Sequence, residues 1–343
     1  MLRRLPIPTP GLLLLAAALV PGTPLTTRAV EYIAIAALVV ILLDGGMDIG
    51  WARMRGSVRP VVSLGVLGTF LTAGALALVA HHVLGYDWKL AGVIGAALAP
   101  TDPAVVFSVL GGTEIRGRSR TILEGEAGVN DPAGIALMLG MIDLATHADA
   151  SWLNLIAEFG LQMLIGVTFG FLGALGLARL RHPALLLAGA GALFGLATLA
   201  HGSGFLAVFV AGLVIGEHET PPYGWLAGSA EVVVFVALGL TITFTGLPWG
   251  DAAVLTVVLV LAIRPLVVLV TLTTARLERG DRAFIAWGGL KGAVPILLAA
   301  FAVLDDVRGA DSVYGLVFVA VLLSVFGQGS LVPAVARRVG LSS

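Results

Sequence analysis

Five charged side chains stand where charge is costly. Asp102, Glu126 and Asp131 fall midway along apolar stretches, and so do Arg264 and Lys291 with the opposite sign. A charge at the centre of a bilayer costs at least roughly 2.5–3.5 kcal/mol on insertion scales, so each needs a task or a partner. Carboxylate oxygens are hard ligands of the kind that suits alkali cations. Withdrawal from water favours the protonated form of a carboxylate, so protons and cations can compete for the same oxygens. Alternation between a proton and a monovalent cation is therefore the chemistry expected of Asp131, in Glu124-Gly125-Glu126-Ala127-Gly128-Val129-Asn130-Asp131-Pro132. The competing reading is a structural carboxylate neutralised by a buried arginine. Asp102, in Pro100-Thr101-Asp102-Pro103, is expected nearby.

Glu126 and Asp131 are five residues apart, which on a helix is a rotation of about 140°. They face different neighbours and are expected to do different jobs. Glu126 is assigned to a salt bridge with Arg264, and Lys291 to the partial negative charge of helix ends that meet where two interrupted helices cross. Lys291 lies too far from either end of its stretch for simple snorkelling. Other polar residues read as structural. His81, His82, His147, His182 and His218 sit at loop edges without metal-ligand spacing, and His201 marks a tight turn. Asp44 and Asp48 are expected to close a helix. Glu231 reads as a wet helix end, with cation attraction as the alternative.

The elements that hold these residues are hydrophobic helices. Of 343 residues, 58% are hydrophobic and 12% charged, with a mean hydropathy of +1.01. A soluble domain carries roughly 25% charged residues, so this surface faces lipid. The net charge of −1 offers nothing to a nucleic acid, and the lack of cysteine excludes disulfides and thiolate metal sites. The 45 glycines suit close packing of helices in lipid.

Spans of about 20 apolar residues are expected at 6–21, 29–44, 58–84, 89–110, 121–146, 152–178, 183–200, 203–217, 225–246, 252–276, 283–303 and 311–336. Arg3 and Arg4 before Gly11–Val20 resemble a short signal peptide. Pro8, Pro10, Pro21 and Pro24 instead bracket a short first helix, and no small-residue cleavage site follows. Cytoplasmic loops collect Lys and Arg. Alternate loops place Arg3, Arg4, Arg53, Arg55, Arg59, Arg116, Arg118, Arg120, Arg179, Arg181, Arg276, Arg279, Arg282, Arg337 and Arg338 on one side. Only Arg28, Lys89 and Arg308 fall on the other. That segregation puts both termini in the cytoplasm and the chain in the cell (inner) membrane as a multi-pass protein.

Two spans are interrupted. The fourth carries Pro100-Thr101-Asp102-Pro103, and the eleventh carries Gly288-Gly289-Leu290-Lys291-Gly292-Ala293-Val294-Pro295. Proline removes a backbone donor, and free backbone groups in hydrocarbon survive only where they line a cavity or are covered by protein. The two broken spans lie seven apart, so they run in opposite directions through the membrane. Paired breaks in inverted halves point to a transport site. The expected fold is all-α: about twelve transmembrane helices in inverted repeats with two crossing discontinuous helices.

With these motifs assembled, the sequence resembles the monovalent cation:proton antiporter family that contains the NhaP-like exchangers, nearest its bacterial potassium/proton branch. The matching stretches are ILLDGGMDI (41–49), PTDPAVVFSVLGG (100–112), LEGEAGVNDPAGI (123–135), GSGFLAVFVAGLVIG (202–216), AIRPL (262–266), GGLKGAVPILLA (288–299) and VFGQGSLVP (325–333). They occur in family order and cover most of the chain from Val30. The resemblance implies a thirteen-helix fold whose core and dimerisation domains move against each other like an elevator. Within one transporter domain, residues 1–343, the core would take helices at about 58–146 and 252–336. The scaffold would take those at about 6–44 and 152–246. Asp131 would carry the exchanged ion, with Thr101, Asp102 and Asn130 shaping the site and Glu126 paired to Arg264. An Asn-Asp pair where electrogenic relatives have Asp-Asp implies electroneutral exchange. The resemblance also implies a homodimer, a transporter rather than an enzyme, and no cofactor beyond the transported K⁺ or Na⁺ and H⁺.

Three features depart from the pattern. The chain starts at what looks like the family's second helix, which weakens the expectation of a dimer. Lys291 stands where the family usually has arginine, which removes a planar fork of donors. Ala127 stands where many members have serine. No cytoplasmic regulatory domain is expected after Arg338. Two other functions compete: a cation channel, which wants a repeated filter, and a sodium-coupled organic-anion symporter, which wants neutral polar residues at the breaks.

Overall fold

The computed structural model describes residues 9–20, 25–102, 105–106, 110, 118–147, 149–180, 182–216 and 224–341. Arg3, Arg4, Pro8, Pro21, Pro24, Pro103, Arg116, Arg181 and His218 lie outside the described residues. Among the described residues every regular element is a helix. In chain order they are α1 (Thr9–Ala18), α2 (Thr27–Met54), α3 (Val58–His82), α4 (Trp88–Leu98), α5 (Ser119–Thr146), α6 (Trp152–Leu177) and α7 (Pro183–Leu199). There follow α8 (Gly204–Ile215), α9 (Gly224–Gly239), α10 (Trp249–Thr271), α11 (Arg279–Trp287), α12 (Ala293–Leu304) and α13 (Ala310–Arg338). By length and composition α2, α3, α6, α10 and α13 can each cross a membrane. Three of these contain a π turn, at Ser63–Leu67, Leu259–Ile263 and Leu323–Gln328.

The structure moves two expected boundaries. The helix that begins near residue 29 does not stop at Asp44 but runs to Met54, changing direction at Gly50, whose φ is +63°. Asp44 and Asp48 were expected to close this helix and do not. Gly46 is needed for packing, because a β-carbon there would meet the Phe209 carbonyl oxygen of α8 at 2.5 Å. Conversely, the span expected to reach 246 ends at Gly239, and a non-helical link through Gly246 (φ +75°) leads to α10. His201, with φ +58°, does occupy the turn between α7 and α8.

Helix α4 is packed against α3, α5, α12 and α13, α5 also against α3 and α12, and α2 against α8 and α9. The two ends of the bundle are chemically distinct. At one end Arg118 donates to the Gly56 carbonyl and the Ser57 hydroxyl, and Arg120 reaches Asp48 and Glu124. At the other, Lys89 Nζ donates to the Ala145 carbonyl at 3.0 Å, and Tyr86 donates to Asp251 at 2.7 Å.

Candidate functional site

The site is built where two helices stop short. Helix α4 ends at Leu98, and Pro100 bars its continuation by removing a donor. Helices α11 and α12 are halves of one apolar span separated by Gly288–Gly292. The interruptions touch: the Asp102 amide donates to the Leu290 carbonyl at 2.8 Å. Lys291, only 2% exposed, places Nζ 2.9 Å from the Ala99 carbonyl oxygen and 2.8 Å from that of Pro100. A cation thus sits on the carbonyls that a helix C-terminus leaves without partners.

Helix α5 crosses behind this junction. Arg264, at the end of the π turn in α10, forks onto Glu126 with Nη1–Oε1 at 2.6 Å and Nη2–Oε2 at 2.7 Å. Both residues are buried. Arg264 Nη2 also donates to the Ile285 carbonyl at 3.3 Å. Thr101 Oγ1 donates to Glu126 Oε1 at 3.2 Å, and Asn130 Nδ2 donates to Thr101 Oγ1 at 2.8 Å. A polar chain therefore runs from Arg264 through Glu126 and Thr101 to Asn130. It leaves the Asn130 amide oxygen as an acceptor. Asn130 Oδ1 and Asp131 Oδ1 are buried without a hydrogen-bond donor among the described residues.

Asp131 turns the other way, as its offset from Glu126 requires. It lines a cavity of about 250 Å³ whose wall also carries Asp44, Asp48, Asp102, Glu124 and Glu231. The cavity descends from Asp48, whose side chain is 53% exposed, to Asp131, which is 7% exposed. Ala127, one helical turn from Asp131, lies on the same cavity wall. A second cavity of about 320 Å³, with Arg28, Glu31, Ser203 and Asp305 on its wall, reaches Pro132. Arg28 and Glu31 begin α2 whereas Asp44 and Asp48 lie well along it, so the two cavities approach the Asp131–Pro132 step from opposite ends of the bundle.

The seven residues singled out from the sequence are thus gathered around one junction. Asp44, Asp48 and Glu231 correct the reading above. The first two do not close a helix, and Glu231 is not a wet helix end; all three face the cavity that ends on Asp131. Glu231 Oε1 is buried without a partner among the described residues. Asp44 and Asp48 carried a usable signal, since residues four apart share a helix face. For Glu231 it is the alternative reading, cation attraction, that fits its place on the cavity wall, where the packing of α9 on α2 puts it. Candidate oxygen ligands for a monovalent cation are present, and two of these buried acceptors have no donor among the described residues.

A family model described as "Sodium/hydrogen exchanger, transmembrane" matches residues 1–338. The chain is 34% identical over 323 residues to the K(+)/H(+) antiporter NhaP of Alkalimonas amylolytica, covering 88% of this chain and 56% of that protein. It is 31% identical over 322 residues to the K(+)/H(+) antiporter NhaP2 of Shewanella sp. (strain MR-4), with the same coverage. The chain therefore spans about half the length of these curated relatives. The Na(+)/H(+) antiporter NhaH of Halobacillus aidingensis is 26% identical over 341 residues, covering 89% of this chain and 82% of that one. Among solved structures, the sodium proton antiporter MjNhaP1 from Methanocaldococcus jannaschii matches with a TM-score of 0.79. That match is at 22% identity and covers 94% of this chain and 93% of that one.

Proposed function

Because the chain belongs to the sodium/hydrogen exchanger family, we propose that it is a secondary antiporter that trades a monovalent cation, K⁺ or Na⁺, for H⁺ across the cell membrane. The observation that carries this reading is Asp131: a buried carboxylate with an undonated oxygen, at the floor of an acid-lined cavity. Protonated, it is a neutral acid and places no charge in the buried site. Deprotonated, it offers an anionic oxygen to a cation, for which the Asn130 amide oxygen, Thr101 and Asp102 would be the further ligands. Glu126 and Arg264 neutralise each other and hold Thr101. Lys291 holds the crossing of the broken helices.

The proposal includes about twelve spans in inverted repeats, with the Arg-rich end and both termini in the cytoplasm. The Asp44–Asp48 cavity then opens inward and the Arg28 cavity outward, which suits alternating access. Helices at about 58–146 and 252–336 form the moving core, and those at about 6–44 and 152–246 the scaffold. A homodimer through the scaffold is part of the proposal; α6 is the least buried of the five long helices and carries an apolar outer face.

Proteoliposomes with a luminal pH dye test the function. Adding Na⁺, K⁺ or Li⁺ outside should alkalinise the lumen of wild-type vesicles, because protons leave as cations enter, and should do nothing with Asp131→Asn. A response that requires an imposed potential indicates a channel, and one that requires an organic anion indicates a symporter. Robust cation-driven proton flux in well-folded Asp131→Asn would falsify the assignment of Asp131.

A further inference from the structure

The gap between α11 and α12 is bridged by side chains that belong to neither. In an unbroken helix the Lys291 amide would donate to the carbonyl four residues back, that of Trp287. Here each of those groups ends on α13. The Lys291 amide donates to Ser324 Oγ at 3.0 Å, and the Ser324 hydroxyl donates to Gln328 Oε1 at 3.0 Å. Gln328 Nε2 donates to the Trp287 carbonyl at 2.5 Å. The three bonds run in series from the amide to the carbonyl that it has left. The Trp287 indole closes the loop, donating to the Gln328 carbonyl at 3.3 Å.

Ser324 is 1% exposed and Gln328 5% exposed, so neither side chain competes for water. Ser324 uses its donor and an acceptor within this chain of bonds, and Gln328 uses its oxygen and its amide nitrogen. Both lie in the π turn Leu323–Gln328. Such turns occur mostly as single insertions within helices, often at functional sites. A helix break inside a membrane leaves backbone groups that cost several kcal/mol if unpaired. Here two of them are paired from outside, across a fixed span.

We propose that Ser324 and Gln328 are positioning residues, spliced into the broken helix in place of its missing hydrogen bond. They hold the break open at a set length and thereby seat the Lys291 ammonium on the Ala99 and Pro100 carbonyls. The transport consequence rests on the antiport reading above; the splice itself does not.

Hydrogen–deuterium exchange of the full chain in nanodiscs, paired with proton flux in proteoliposomes, tests this. Ser324→Ala should speed deuterium uptake in the peptide covering Gly288–Gly292 by about tenfold, whereas Ser324→Thr, which keeps the hydroxyl, should restore protection. Exchange turnover should fall about tenfold in Ser324→Ala and recover in Ser324→Thr. The half-saturating cation concentration should stay within about twofold, because none of the proposed cation ligands is touched. Unchanged uptake in Ser324→Ala overturns the splice, and raised uptake with unchanged turnover overturns the positioning role. If Ser324→Ala does not fold, Gln328→Met keeps the chain length, removes both polar atoms and must show the same rise in uptake. A wild-type chain without cation-driven proton flux sinks the antiport reading and leaves the uptake comparison standing.

Discussion

The backbone of Gly292 lies against the carboxylate of Asp102, so closely that a β-carbon at Gly292 would overlap Asp102 Oδ2. The unwound segment of one broken helix thus sets where the acid of the other can be. Gly289 does the same to Arg264, whose Nε would lie 2.5 Å from a β-carbon there. Gly292→Ala should displace Asp102 and cost about 1–3 kcal/mol of stability by overpacking. Its thermal midpoint should fall, and half-saturating cation concentration should rise. Gly327, where a β-carbon would meet nothing within 4 Å, is the matched control: Gly327→Ala should leave half-saturation unchanged and should not lower the thermal midpoint.

Glu126→Gln and Arg264→Ala should each lower stability far more than apparent cation affinity. Removing one partner of a buried ion pair typically costs about 3–5 kcal/mol, because the remaining charge is stranded. The double variant should be less damaged than either single one, as read by thermal melts in detergent. Additive losses would count against the pair acting as a unit.

Exchange should be electroneutral. Asp131 trades one proton for one monovalent cation, and its neighbour Asn130 is an amide that donates to Thr101 and cannot titrate. Each uncompensated charge would couple to the membrane potential by about 2.3 kcal/mol per 100 mV. Cation-driven proton flux measured with the potential held near zero and near about −100 mV should therefore be nearly the same. A steep dependence on potential rejects one-for-one exchange.

Ala127 lies on the cavity wall with Asp131, one helical turn away. A hydroxyl there would face the ion that Asp131 holds, and with alanine that ligand must come from water or be missing. Stripping water from Na⁺ costs more than stripping it from K⁺, so a missing protein ligand penalises Na⁺ more. Ala127→Ser should tighten half-saturation for Na⁺ more than for K⁺ at a single pH. If the ratio of the two values does not move, Ala127 is only a packing residue.

Much of this molecule was written in local chemistry. Apolar stretches long enough for a bilayer, prolines and glycines that stop a helix, and charges too costly to bury without a partner are properties of short segments. They can be read without knowing the neighbours. For that reason the broken helices, the burial of Asp131, the opposed pair Glu126 and Arg264 and the place of Lys291 at a helix end were legible in the sequence. The family's motifs carried the same message.

What a helix faces is not a local property. Asp44 and Asp48 read as a helix end, but α2 continues to Met54, the Phe209 carbonyl of α8 packs close on Gly46, and Asp44 and Asp48 line a cavity. Glu231 joined them because α9 packs on α2. Ser324 and Gln328 lie more than thirty residues beyond the gap they bridge. In a protein whose surface and interior are equally apolar, hydropathy does not say which side of a helix is inward. Backbone contact between helices and the pairing of buried polar groups decide it, and both arise only when the chain is assembled in three dimensions.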